Sequence, residues 1–192
     1  MKPSRVIGMP FSAEQTQGVE AEKLPGAELV RDFLNTHDVE AETDELSSPA
    51  ELVLWLRERG LAGPHDSAAD EDLPLALALR EGLRAALRRE SADLPSLPLR
   101  VEATGDGLRL VPAGDGVRAG LAGIAVAAVR APWDRLKVCS EATCQWAFID
   151  SSRNRSRSWC SMRVCGNRTK TRAYRARKRG SRRLQGSNTD TV

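Results

Sequence analysis

Four cysteines lie between residues 139 and 165 of a 192-residue chain, and there are no others: Cys139, Cys144, Cys160 and Cys165. They form two pairs, each with four residues between its members, and fifteen residues separate the pairs. Four thiolates brought to one point match the tetrahedral shell of zinc, with Zn–S bonds of about 2.3 Å. A four-cysteine shell leaves no open coordination position, so a structural ion is expected rather than a catalytic one. An iron–sulfur cluster also takes four cysteines, and spacing leaves that alternative open. Two disulfides would need an oxidising compartment, whereas Met1 to Gly26 carries no apolar export segment. A catalytic cysteine would need a base, but the only histidines, His37 and His65, are far away in sequence and read as surface or capping residues.

Directly after Cys165 comes the densest basic run of the chain: Asn167, Arg168, Lys170, Arg172, Arg175, Arg177, Lys178 and Arg179, with no acid before Asp190. The net charge of +3 conceals a split. Residues 1–138 hold 16 Lys/Arg and 23 Asp/Glu; residues 139–192 hold 13 and 3. Such asymmetry points to a polyanionic partner for the C-terminal part. On a helix, Arg168, Arg172, Arg175 and Arg179 share one face, and too few apolar residues accompany them to bury any side. A helix of this kind is expected to lie against phosphate, with zinc anchoring its N-terminus and aiming it away from the acidic part. Asn167 and Arg168 are candidates either to reach base edges or to stabilise the metal site itself. Arg153, Arg155 and Arg157 add charge nearby.

The elements that must position these groups are legible in outline. Aromatics are only 4% of the chain, so its core must be mostly Leu, Ala and Val. Ala27 to Asp38 places Leu29, Val30, Phe33 and Leu34 on one helical face. In "SSPAELVLWLRERG", Ser48 caps a helix, Pro49 suits its first position, Glu51 completes a capping box, and Gly60 ends it. Asp72 to Glu90 reads as a long helix with Leu75, Leu77, Leu79, Leu83 and Leu87 available for burial. "LRVEAT" and "LRLVPA" alternate around Gly105-Asp106-Gly107, a β-hairpin pattern. Val117 to Arg130 returns to a helical pattern, stopped by Pro132. Between the first cysteine pair a strand enters, turns and leaves; the second pair brackets the start of the basic helix. The longest apolar run, Ala119 to Val129, is far short of the ~20 residues that span a bilayer.

These residues carry a resemblance. "RLKVCSEATCQWAFIDSSRNRSRSWCSMRVCGNRTKTRAYRARKR", Arg135 to Arg179, resembles the CGNR zinc finger, whose four letters stand here at Cys165-Gly166-Asn167-Arg168. The upstream part resembles the ABATE domain, through "LVRDFLNTHD", "SSPAELVLWL" and "LRLVPA". The resemblance implies a transcription regulator with zinc on the four matching cysteines.

The expected fold is α+β: a mostly helical domain with a β-hairpin over 25–132, then a small treble-clef-like finger, hairpin plus basic helix, over 135–179. A poorly structured N-terminus (1–24) and a disordered tail (180–192) flank them. The expected function is regulation through duplex DNA, in the cytoplasm, with the N-terminal domain sensing a small molecule or forming a homodimer. Asp32, Asn35 and Thr36 are the candidate ligand cluster, although helix-end hydrogen bonding is the preferred account of such residues. The alternatives are an RNA-binding protein or a zinc-stabilised protein-interaction module. No phosphate-cradling loop, metal–carboxylate cluster or activated nucleophile suggests an enzyme.

Overall fold

A computed structural model describes residues 25–186. The expected N-terminal segment 1–24 and residues 187–192 lie outside the described part. The fold is α+β: five α-helices with three antiparallel strand pairs among the described residues.

Helix α1 (Pro25–Leu34) buries Val30, Phe33 and Leu34. It is shorter than its apolar pattern suggested. After Leu34 the chain turns, and His37–Asp38 (β1) pairs with Thr43–Asp44 (β2). The Asn-Thr-His-Asp run favours local side-chain bonds over helix: Thr36 Oγ1 donates to the Phe33 carbonyl at 2.8 Å, and Asp38 Oδ1 accepts from the Glu40 and Ala41 amides. Helix α2 (Pro49–Glu58) begins as expected, with Ser48 Oγ accepting from Glu51 N. Its Glu51 carboxylate reaches one residue beyond the usual box, to the Ser47 amide at 3.0 Å.

Helix α3 (Asp72–Leu87) buries Leu79 and Leu83, with Leu75, Leu77 and Leu87 half-buried at the core's edge. Hairpin β3 (Leu99–Thr104) and β4 (Gly107–Pro112) turns at Gly105-Asp106. Helix α4 (Gly116–Arg130) runs through the core, packing Leu121 and Ile124. Gly120 is required there, because an added Cβ would sit 2.5 Å from the Leu61 carbonyl oxygen.

The second hairpin, β5 (Leu136–Val138) and β6 (Ala147–Ile149), opens the cysteine-bearing part. Leu136 and Ala147 are fully buried in the same core as Phe33, Leu56, Leu79 and Leu121. The hydrophobic core therefore continues across the expected boundary near residue 133. A π-helical turn (Met162–Gly166) leads into α5 (Asn167–Gly186). The helix runs through Gly180, where a tail was expected to start. One glycine costs a helix interior only about 1 kcal/mol, and Leu184 and Gln185 behind it are good helix formers.

Candidate metal centre and nucleic-acid interface

The β5–β6 hairpin carries Cys139 and Cys144 in its connecting turn. That turn is closed by Cys139 N donating to Trp146 O at 2.9 Å and Cys144 N to Glu141 O at 2.9 Å. Gln145 takes a positive φ of 50°, bending the chain tightly after the second sulfur. Cys160 and Cys165 come from the other side, Cys160 just before the π-helical turn and Cys165 within it, and Ser161 Oγ caps that turn by accepting from Val164 N. All four Sγ atoms lie within 4.8 Å of one another, with Cys144–Cys160 at 3.6 Å and Cys160–Cys165 at 3.7 Å. Tetrahedral zinc with bonds of about 2.3 Å requires sulfurs about 3.8 Å apart. The donor set, spacing and burial fit one zinc ion.

The electrostatics make the same demand. Burial pushes the Cys160 thiol up to about 11, and it pushes Cys144 up further. Cys139 feels the same burial, yet its thiol is held below the ordinary value by the Cys160 and Glu141 amides. Four thiolates can coexist here only around a cation. A Cβ on Gly166, the glycine after Cys165, would meet Met162 Sδ at 2.5 Å, so that flexible, exposed side chain would have to shift.

The finger is bolted to the helical part. Both ends of the Asn35 amide pair with one residue of β6, Nδ2 donating to Ala147 O at 3.0 Å and Oδ1 accepting from Ala147 N at 2.8 Å, as a neighbouring strand would. Arg84 is buried, its side chain 2% exposed. It donates to Leu34 O at 2.6 Å and to Gln145 O at 2.7 Å, joining the end of α1 to the cysteine turn. Arg88 reaches Gln145 Oε1 at 2.6 Å.

Asp150, fully buried, gathers the linker to the second cysteine pair. It accepts from Lys137 Nζ at 2.7 Å and from the Ser152 and Arg157 amides, each at 2.9 Å. Burial opposes its charge, but those donors prevail and hold the carboxyl well below the usual carboxylate range. A depressed carboxyl stabilises the fold above its unfolded value near pH 4, and the contribution is lost as pH falls further. Asp150→Asn is therefore expected to melt several degrees below wild type at pH 7. That deficit should shrink as both proteins are titrated below pH ~4; a deficit constant with pH would show that the charge is not what matters.

The basic residues divide into two groups. The first turn of α5 faces inward. Arg168 makes a bidentate pair with Glu40, in the turn between β1 and β2, at 2.7 and 3.1 Å, and reaches Thr143 Oγ1 at 3.2 Å. Arg172 pairs at 2.9 Å with Glu141, which is 1% exposed and also accepts from Thr169 Oγ1 at 2.8 Å. Asn167 Nδ2 bonds back to the Arg163 carbonyl at 3.0 Å. The start of the helix is thus tied to the acidic part rather than aimed away from it. Away from these contacts Lys170, Arg175, Arg177, Lys178 and Arg179 are exposed. Among the described residues, Lys170, Arg175, Lys178 and Arg179 have no ion-pair partner. In the linker, Arg155 pairs with Asp134, and Arg157 stacks over the Phe148 ring and donates to Cys160 O.

The candidate ligand cluster does not assemble. Thr36 is buried and accepts from Arg80 Nη1 at 3.0 Å. Asp32 pairs with Arg31, and Asn35 is engaged with Ala147. Asp32 and Asn35 do line an open cleft of about 560 Å³ shared with Arg59 and Trp146. Sequence reasoning missed Glu40, Glu141 and Arg84. Only Glu141 had a signal, as one of three acids after residue 138. No helix of the described residues is long and apolar enough to cross a membrane.

Two family models match. The ABATE model, described as "Putative stress-induced transcription regulator", covers residues 27–137, and the CGNR zinc finger model covers residues 135–178. No curated protein matches the chain.

Proposed function

This chain belongs to the ABATE family and ends in a CGNR zinc finger, and from that premise we propose that it is a transcription regulator whose helix α5 binds duplex DNA. One observation carries this reading. A helix fixed at its N-terminus by a metal site and two ion pairs presents Lys170, Arg175, Lys178 and Arg179 to solvent, with no carboxylate along it. Such a helix repels itself unless phosphates or salt neutralise it. Arg168 and Arg172 serve to hold the helix at a set angle, so the phosphate contacts fall to the residues from Lys170 onward. Zinc supplies the fixed end; Glu40 and Glu141 supply the direction.

The test is the salt dependence of binding to a labelled duplex of mixed sequence, followed by anisotropy between about 50 and 200 mM salt. Each phosphate contact adds about 0.9 to the slope of log K against log salt. Lys170→Ala with Arg175→Ala is expected to lower that slope by about 1.8 and to weaken binding on every sequence alike. An unchanged slope would remove these residues from the phosphate backbone. Preferential binding of single-stranded RNA in competition would move the reading to RNA. A second reading has one observation in its favour: the helix already docks on carboxylates of its own chain. Absence of nucleic-acid binding at low salt would support a protein-interaction module with an acidic partner.

A further inference from the structure

Hairpin β3–β4 has an open edge and an unfinished apolar face, and its own charges say what completes them. Ala113 N donates to Pro98 O at 2.9 Å, which sets the phase of the ladder. With the register Leu99↔Pro112, Val101↔Leu110 and Ala103↔Leu108, these three pairs are the non-hydrogen-bonded ones. The N–H and C=O groups of Leu99, Val101 and Ala103 therefore point away from β4. On the far side, the β4 edge is partly covered: Arg130 Nη2 donates to Leu110 O at 2.9 Å, and Pro112 has no N–H. The β3 edge has no such cover among the described residues.

The same three pairs put Leu99, Val101, Ala103, Leu108, Leu110 and Pro112 on one face of the hairpin. Pro112 packs toward α4 near Gly123. The rest overhangs, with Leu108 78%, Val101 60% and Leu99 40% exposed. An isolated two-stranded hairpin is marginal in water, and an open apolar edge strand is a template for another strand.

We propose that β3 pairs antiparallel with β3 of a second copy of this chain, about a two-fold axis at Val101, to give a four-stranded sheet. The strand is complementary to itself only about that residue. Val101 meets Val101 of the second copy as a hydrogen-bonded pair, using the outward N–H and C=O. Arg100 then stands opposite Glu102 of the second copy, twice, as a closely spaced pair, where opposite charges are favourable. Leu99 stands opposite Ala103, so the apolar faces of both copies merge on one side. Within each copy Glu102 already accepts from Arg100 at 2.7 Å and Arg109 at 2.9 Å, so the carboxylate is oriented toward that polar face beforehand. An acidic or purely apolar partner strand would add no opposite charge to both Arg100 and Glu102, whereas a second copy of β3 supplies one for each. The dimer would supply a second basic helix, but it rests on the hairpin alone and stands whether or not α5 binds DNA.

The experiment is sedimentation equilibrium of the full chain without nucleic acid. An interface confined to a six-residue strand is at the small end of specific interfaces, so a dimer dissociating in the micromolar range is expected. Val101→Pro removes an outward N–H and no hydrogen bond of the β3–β4 ladder, and it should give a monomer at all concentrations. Arg100→Glu sets like charges opposite one another and should weaken the dimer at least tenfold. Inverting all three charges together, Arg100→Glu, Glu102→Arg and Arg109→Glu, preserves both the internal and the intermolecular pairing and should restore it. A wild-type monomer throughout the micromolar range would overturn the proposal. So would a dimer unaffected by Val101→Pro, or failure of the triple inversion to restore association while circular dichroism shows the fold intact.

Discussion

Cys160→Ser is expected to empty the metal site. Zinc bound after dialysis against a chelator should fall from one ion per chain to none. A serine hydroxyl does not ionise near neutral pH, so the shell drops to three thiolates, and one of them, Cys144, is pushed up by burial and needs the full cation to ionise. Structural zinc supplies roughly 10–16 kcal/mol in isolated finger peptides. Little else holds the second cysteine pair: its cluster comprises the four cysteines and Trp159. The loss should not stop at the finger. Leu136 and Ala147 belong to the main core, and Asn35 is paired to β6. Helices α1 to α4 should remain folded but melt at a lower temperature. Retention of one zinc in the serine variant would overturn the four-cysteine site. An unchanged melting transition with zinc lost would show the finger to be energetically independent of the helical part.

Arg84→Met should produce the largest loss of stability outside the metal site. Methionine fills comparable space but leaves the buried Leu34 and Gln145 carbonyls without their short donors and Glu81 without one of its partners. Each acceptor stranded in this way costs about 1–3 kcal/mol, or about 2–6 kcal/mol for the two together. At about 2–4 °C per kcal/mol for a chain of this size, the melting temperature should fall by about 10 °C. The effect should also reach the metal. Gln145 follows Cys144 directly and is held at a positive φ by a carbonyl that Arg84 grips. Zinc should therefore be extracted faster by a chromogenic chelator in the variant. Unchanged melting and unchanged extraction together would reduce Arg84 to a packing residue.

Much of this molecule is written in its sequence. Cysteines are rare, and their clustering survives any rearrangement of the rest, so the metal site could be read from spacing alone. Helix α2 announces itself through Ser48, Pro49 and Glu51, and hairpin β3–β4 through alternation around Gly-Asp-Gly, because these are local rules. The run of positive charge on α5 is equally local. What periodicity could not supply is which polar side chains find each other across a hundred residues. Asn35 looks like a helix-end residue and is one, but its amide also pairs with a peptide 112 residues away. Arg168 sits in the motif that names the finger and reads either as a base contact or as a support of the metal site, and its partner Glu40 lies 128 residues away.

The sequence by itself marked the four cysteines as one candidate metal site, the helical and hairpin elements, and the separation of acidic from basic halves. Those follow from residue type and short-range geometry. Only the tertiary structure decided how the halves are joined: that the core runs on through Leu136 and Ala147, that Arg84 grips the cysteine turn, and that the first turn of α5 is held by Glu40 and Glu141 while its later cations are left to solvent. These contacts are charge and hydrogen-bond matches between distant segments. A single acid or amide among many carries no local mark of its partner, and only the packing of the helices brings the two within reach.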